Sequence, residues 1–251
     1  MAIVVILIAF IGSLVVSPAS VNAGGRPIPS GCATLSTVDN FDLQEYIRYP
    51  WFVHEQNVNN YQPIEELFCV VAQYKESETE NNTLDVYNSA SIGSVTGEPA
   101  NENVQILKAI VPDLATSSKL KVGPGFIPGF LRNLLFGPYW IVSIGDNYEW
   151  AIISGGQPND EMPGNLCSVE PRFDRGGLWF FTRVPTRNQT LIDLMVARVI
   201  SLGIYPTDLQ SVEQNGCDYS NVLTLGLEEF PASCLNGAPE CGCYSRDSLR
   251  C

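Results

Sequence analysis

Histidine is almost missing from this sequence: His54 is the only one in 251 residues. That disfavours histidine-based metal centres and Cys–His nucleophile pairs. Basic residues are scarce as well, with 14 Lys and Arg against 27 Asp and Glu for a net charge of −13. Such a chain lacks the basic footprint that nucleic acid requires, so no nucleic-acid partner is expected. The acidity reads as a solvated extracellular surface. C-x-x-C ligand pairs, a G-x-S-x-G element, an internal repeat and a convincing pair of inward carboxylates are all missing, and Glu55 alone does not make a site. Neither an enzymatic activity nor a cofactor or metal is expected. Beyond the N-terminus no segment is long and apolar enough to span a bilayer.

Residues 1–23 carry no charged side chain, and MAIVVILIAFIGSLVV is followed by SPASVNA with small residues at Val21 and Ala23. This pattern predicts a signal peptide and a secreted, or otherwise lumenal, protein. A retained anchor is the competing reading, but the run is short for a membrane span. The eight cysteines, Cys32, Cys69, Cys167, Cys217, Cys234, Cys241, Cys243 and Cys251, form an even set suited to disulfides in an oxidising compartment. N-x-T sequons at Asn81 and Asn188 are candidate glycosylation sites.

From Trp51 onward the sequence breaks into short β-rich runs: WFVHEQ, LFCVVAQYK, TLDVYNSAS, NVQILKAIV, SKLKVG, YWIVSIG, YEWAIISG and LWFFTRV. Asn, Gly, Pro and acidic clusters separate them, and several alternate with the strand period. With no long helix between them, a meander closing into an all-β, eight-stranded antiparallel up-and-down barrel is predicted. NQTLIDLMVARVISLG then reads as one C-terminal helix packed outside the barrel, with Leu191, Leu194, Met195 and Val199 on its apolar face. Gly203 marks its stop, and Asn188 is a candidate cap as well as a candidate glycan site. Residues 218–251 change to a cysteine-rich, loop-like tail, too short for a core of its own. The chain thus divides into a signal peptide (1–23), a barrel domain (24–217) and a tail (218–251).

A Trp opening the first strand can plug the closed end of such a barrel, with Arg183 at the end of the last strand stacked on its indole. Three stretches in this order, FDLQEYIRYPWFV, PYWIVSIGDNYEWAIIS and LWFFTRVPT, resemble the signatures of the lipocalin family. Tyr49 stands where the family usually has Gly, and Tyr148 is shifted by one in its turn. Within the family the likeness is greatest to apolipoprotein D and the bacterial lipocalins. That resemblance implies the disulfides Cys32–Cys167 and Cys69–Cys217, leaving the four tail cysteines to one another.

If Cys69 faces outward, alternation turns Val70, Ala72 and Tyr74 inward, along with Trp51 and Val53, Leu84, Val86 and Asn88, and Trp179 and Phe181. These positions are the expected lining of a pocket for a small hydrophobic ligand such as a retinoid, carotenoid, sterol or fatty acid. The resemblance singles out Tyr74, Asn88 and Trp179. Carriage or sequestration of that ligand is the leading function. A lipid- or carotenoid-modifying enzyme of the de-epoxidase kind and a protein-binding, inhibitory lipocalin are the alternatives. The apolar segment from Phe126 to Phe136 is placed at the open end. There it would cap the pocket, touch a membrane or lipoprotein surface, or pack on neighbouring loops.

Overall fold

The computed structural model describes residues 28–59, 62–100, 107–169, 176–206 and 208–219. The predicted signal peptide and Cys234, Cys241, Cys243 and Cys251 lie outside them. The elements in chain order are α1 (Leu43–Ile47), β1 (Trp51–Asn57), β2 (Phe68–Glu76), β3 (Thr83–Ser91), β4 (Leu107–Ile110), β5 (Lys119–Pro124) and α2 (Gly129–Leu135). There follow β6 (Gly137–Ile144), β7 (Trp150–Ser154), β8 (Asp160–Met162), β9 (Leu166–Ser168), β10 (Leu178–Thr182), α3 (Gln189–Ser201) and β11 (Leu209–Ser211).

Strands β1 to β7 pair in sequence order, β10 follows β7, and β10 pairs back onto β1, all antiparallel. The eight-stranded barrel is therefore closed and has no free edge. Its inner face carries one apolar core, from Trp51 and Val53 through Tyr74, Leu84 and Leu120 to Ile153 and Phe181. A second core joins the outer faces of β6, β7 and β10 to α3. Asn188 caps α3, its side chain accepting from Leu191 N at 3.2 Å, and Gly203 ends it at a φ of +79° that suits glycine. The buried stripe of α3 is Ile192, Met195 and Val199; Leu194 faces solvent. Met195 and Val199 are thus buried as expected and Leu191 packs partly buried beside them, while Ile192 takes the place expected of Leu194. The wall of β6, β7 and β10 selects Ile192 because Trp140, Val142 and Phe180 lie beneath it.

Three elements go beyond the predicted meander. The β8–β9 hairpin branches from the β7–β10 connection and carries Cys167. The segment at β11 enters the wall where β1 and β2 diverge. β11 is antiparallel to β1, and Glu213 just beyond it forms a parallel bridge to Phe68 of β2. Gln214 Nε2 closes the same gap by donating to Val53 O at 2.7 Å and Val70 O at 2.9 Å. Finally, α2 turns back along the outside of the barrel instead of standing over its mouth. Arg132 pairs with Glu80 in the β2–β3 turn at 2.9 Å, and Lys121 Nζ donates to Asn133 O. The placement of Phe126–Phe136 as a cap is therefore corrected. Phe126, Phe130 and Leu134 are 82, 85 and 77 % exposed, and only Arg132 and Phe136 of this segment are buried.

Both expected disulfides are present, Cys32–Cys167 and Cys69–Cys217. The second ties β2 to the chain beyond β11 across 148 residues. Tyr219 packs on Phe52 just past it, so the first residues of the predicted tail belong to the barrel's outer surface. Replacing Cys69 and Cys217 together with Ser should cost roughly 2–5 kcal/mol in urea unfolding. It should also release β11 first, read as accelerated amide exchange over Leu209–Ser211.

Candidate functional site: the barrel interior

The closed end is built around Arg183. Its guanidinium lies 3.4 Å from the centre of the Trp51 ring. All five of its N–H donors meet carbonyls: Nε donates to Tyr148 O (3.1 Å), Nη1 to Tyr49 O and Pro50 O, and Nη2 to Glu45 O and Tyr46 O (3.0 Å each). Burial pushes its pKa down to about 9, so it remains a cation at neutral pH. The two departures from the family pattern are absorbed here. Tyr49 contributes its carbonyl, while Tyr148, at a φ of +59°, aims its carbonyl at Arg183 and its hydroxyl at Asp42 N, 2.7 Å away.

Asp42 caps α1, and this short helix delivers Tyr46 across the barrel floor. The Tyr46 hydroxyl lies 2.7 Å from that of Tyr139, which lies 2.6 Å from that of Tyr74. Burial raises the pKa of all three phenols, Tyr74 to about 12, so the cluster stays neutral. Tyr46 and Tyr139 are site residues that pattern reading missed.

The predicted lining is on the inner face, but it divides into two zones. Val53, Val70, Ala72, Tyr74, Leu84, Val86 and Phe181 are buried within the core. Asn88 and Trp179 lie nearer the open end and are more accessible. Asn88 pairs with Ala72 and so shares its inner face, yet it is exposed; Trp179 is half-buried, like Ala90, Leu107 and Val122. The Tyr74 hydroxyl is engaged with Tyr139 deep in the packed zone, whereas Asn88 stands in the accessible one.

A bulge at His54 shifts the register of β1 against β10, pairing Val53 with Phe181 but Gln56 with Trp179. Opposed residues share a face, so Gln56 turns inward and Glu55 outward, where it pairs with Arg187. Val212, beyond β11, also reaches the inner core. Simple alternation cannot reveal either residue. The candidate glycosylation sites Asn81 and Asn188 are both exposed.

No family model and no curated protein matches this sequence. Among solved structures, lobster apocrustacyanin A1 is 14 % identical, with a TM-score of 0.48 over 72 % of this chain and 84 % of that one. H1 crustacyanin from the lobster Homarus americanus is 13 % identical, with a TM-score of 0.47 over 79 % and 99 %. The cockroach major allergen Per a 4 is 14 % identical, with a TM-score of 0.46 over 75 % and 96 %. The closed barrel rests on the strand pairing itself, not on these likenesses.

Trp51→Ala should cost about 3–5 kcal/mol as a large-to-small core change. Arg183→Lys keeps the charge but supplies three donors for five carbonyls. It should cost roughly 1–3 kcal/mol for each carbonyl left unpaired, measured by urea unfolding of the variant beside wild type.

Proposed function

We propose that this chain is a secreted lipocalin-type protein that binds a small hydrophobic ligand in the open half of its barrel, to carry or sequester it rather than transform it. The observation behind this reading is the accessibility gradient along one continuous inner face. The floor is solid from Trp51 to Tyr139, and the inward positions around Asn88, Ala90, Leu107, Val122 and Trp179 become accessible toward the mouth. An apolar wall with a few polar groups suits a mostly apolar guest. Binding without turnover is favoured because, among the described residues, the inward side chains above the Arg183 floor are apolar or neutral, while Glu55 points outward to Arg187. The two disulfides favour an oxidising compartment.

Ala90→Trp narrows the accessible zone without touching the floor or either disulfide. All-trans-retinol should quench the tryptophan fluorescence of wild type, and the variant should bind it at least tenfold more weakly. Unchanged affinity in the folded variant would place the ligand outside the barrel.

A second reading, contact with a lipid surface, is favoured by the exposed ridge of Phe126, Phe130, Leu134 and Leu135. Residues 114–145 contain no Asp or Glu, in a chain of net charge −13. The ridge offers roughly 500 Å² of apolar surface, taking about 150–250 Å² for each aromatic ring. That is less than the ~800 Å² each partner gives to a stable protein interface. It is enough for interfacial insertion into a zwitterionic bilayer. Wild type should co-sediment with phosphatidylcholine vesicles, and Phe126→Ser/Phe130→Ser should not. Equal sedimentation of the two proteins would refute contact through this ridge.

A further inference from the structure

We infer that Gln56 recognises the ligand, accepting a hydrogen bond from a hydroxyl or N–H group on an otherwise apolar guest. This rests on the barrel reading and deepens it by naming the polar chemistry the guest must carry. Gln56 is fully buried, at 0 % exposure. Its Nε2 donates to Gln62 Oε1 at 3.0 Å, while its own Oε1 has no hydrogen-bond partner. The bulge at His54 sets it on the inner face beside Trp179, which pairs on its other side with Ile153. A buried, unpaired acceptor thus belongs to a residue of the inner face, next to the proposed site.

Buried carbonyls are ordinarily satisfied, and leaving one without a partner is costly. The amide cannot correct this by rotating. A flip would set Gln56 Oε1 against Gln62 Oε1, two acceptors facing each other, and lose the one bond the side chain makes. Gln62 is held in turn, because its own Nε2 donates to Glu66 O at 3.5 Å and so leaves Oε1 to face Gln56. The site therefore calls for a donor. An alcohol or an N–H satisfies it, whereas a ketone, aldehyde, ether or ester of the same skeleton brings only acceptors and leaves Oε1 unpaired.

Retinol and retinal share a skeleton and differ in a terminal hydroxyl against an aldehyde, so they isolate this chemistry. Both are titrated into wild type and Gln56→Met with tryptophan quenching as the readout. Wild type should prefer retinol about tenfold, the effect of one neutral hydrogen bond. Gln56→Met should bind the two alike while keeping the wild-type affinity for retinal. Should that variant lose the circular-dichroism signature of the barrel, Gln62→Leu replaces it. Freeing Nε2 lets the Gln56 amide turn to suit either probe, and the preference should again collapse. Equal affinity of wild type for both probes, or a retinol preference that persists in a folded variant, overturns the role of Gln56 and leaves the barrel reading standing. Failure of wild type to bind either probe removes both.

Discussion

The five hydrogen bonds of Arg183 are the constraint on which the rest of the barrel depends. Its side chain leaves the end of β10 and fastens the end of α1, the entry to β1 and the β6–β7 turn. These segments meet at the seam where the last strand of the barrel returns to the first. A buried cation would ordinarily be costly, but carbonyls from three separate segments and the face of Trp51 replace its water. Because Arg183 holds Tyr46 O, and Trp51 Nε1 donates to the same oxygen at 2.9 Å, the helix that closes the floor cannot move independently of the indole above it. The phenol cluster of Tyr46, Tyr74 and Tyr139 follows from that anchoring. It makes the closed half a packed core and leaves the open half more accessible.

The open half is governed by irregularities rather than by regular pleating. The bulge at His54 reverses the parity of β1, putting Gln56 inward and Glu55 outward. A second irregularity between Phe68 and Val71, with Cys69 at a φ of +54°, keeps Cys69 on the outer surface while Val70 faces in. Together they splay β1 from β2, and β11 with the residues after it fills the gap. Val212 N donates to His54 O and Cys69 N to Glu213 O, so the inserted segment is bonded to both bulged strands. The Cys69–Cys217 bridge secures this arrangement. It acts on the geometry of the mouth as well as on the entropy of the unfolded chain.

Much of this was legible in the sequence, and what was not has identifiable causes. Period-two alternation found the strands because each has one face on the core and one outside. Val53, Tyr74, Val86 and Phe181 all lie on the expected face. Alternation fails past a bulge, which is why Gln56 escaped and Glu55 drew attention instead. The Arg183–Trp51 pair could be inferred from two residues at matching ends of paired strands. The five carbonyl contacts could not, because backbone acceptors carry no side-chain signal. Helix α2 was read as a loop at the mouth because its 7 residues of GFLRNLL are bracketed by Pro128 and, after Phe136, by Gly137-Pro138. What directs it down the outer wall is the Arg132–Glu80 ion pair, a contact between residues 52 positions apart in sequence. On α3 only Leu194 was misplaced and Ile192 overlooked, because both fit a helical stripe with Met195 and Val199. Only the wall beneath distinguishes them.

The distribution of charge narrows the guest that the proposed site would accept. Arg183 has no donor left to offer a ligand, and Lys108, on the outer face, pairs with Glu80 and Asp85. Arg187 meets Glu55, and Lys121, on the outer face, donates to Asn133 O. Among the described residues, then, the basic side chain built into the barrel floor is Arg183, and its five donors are all engaged. The three floor phenols are held neutral by burial, and their hydroxyls already bond to one another. A fatty-acid carboxylate entering head first would lose its hydration without finding a counter-charge, a penalty far above that for a neutral hydroxyl. It would have to bind tail first, with its head left at the mouth. A neutral alcohol faces no such restriction, because its one polar group can be matched along the wall by an amide. Of the ligand classes that suit an apolar barrel, the neutral, hydroxylated ones are therefore those whose burial this interior compensates best.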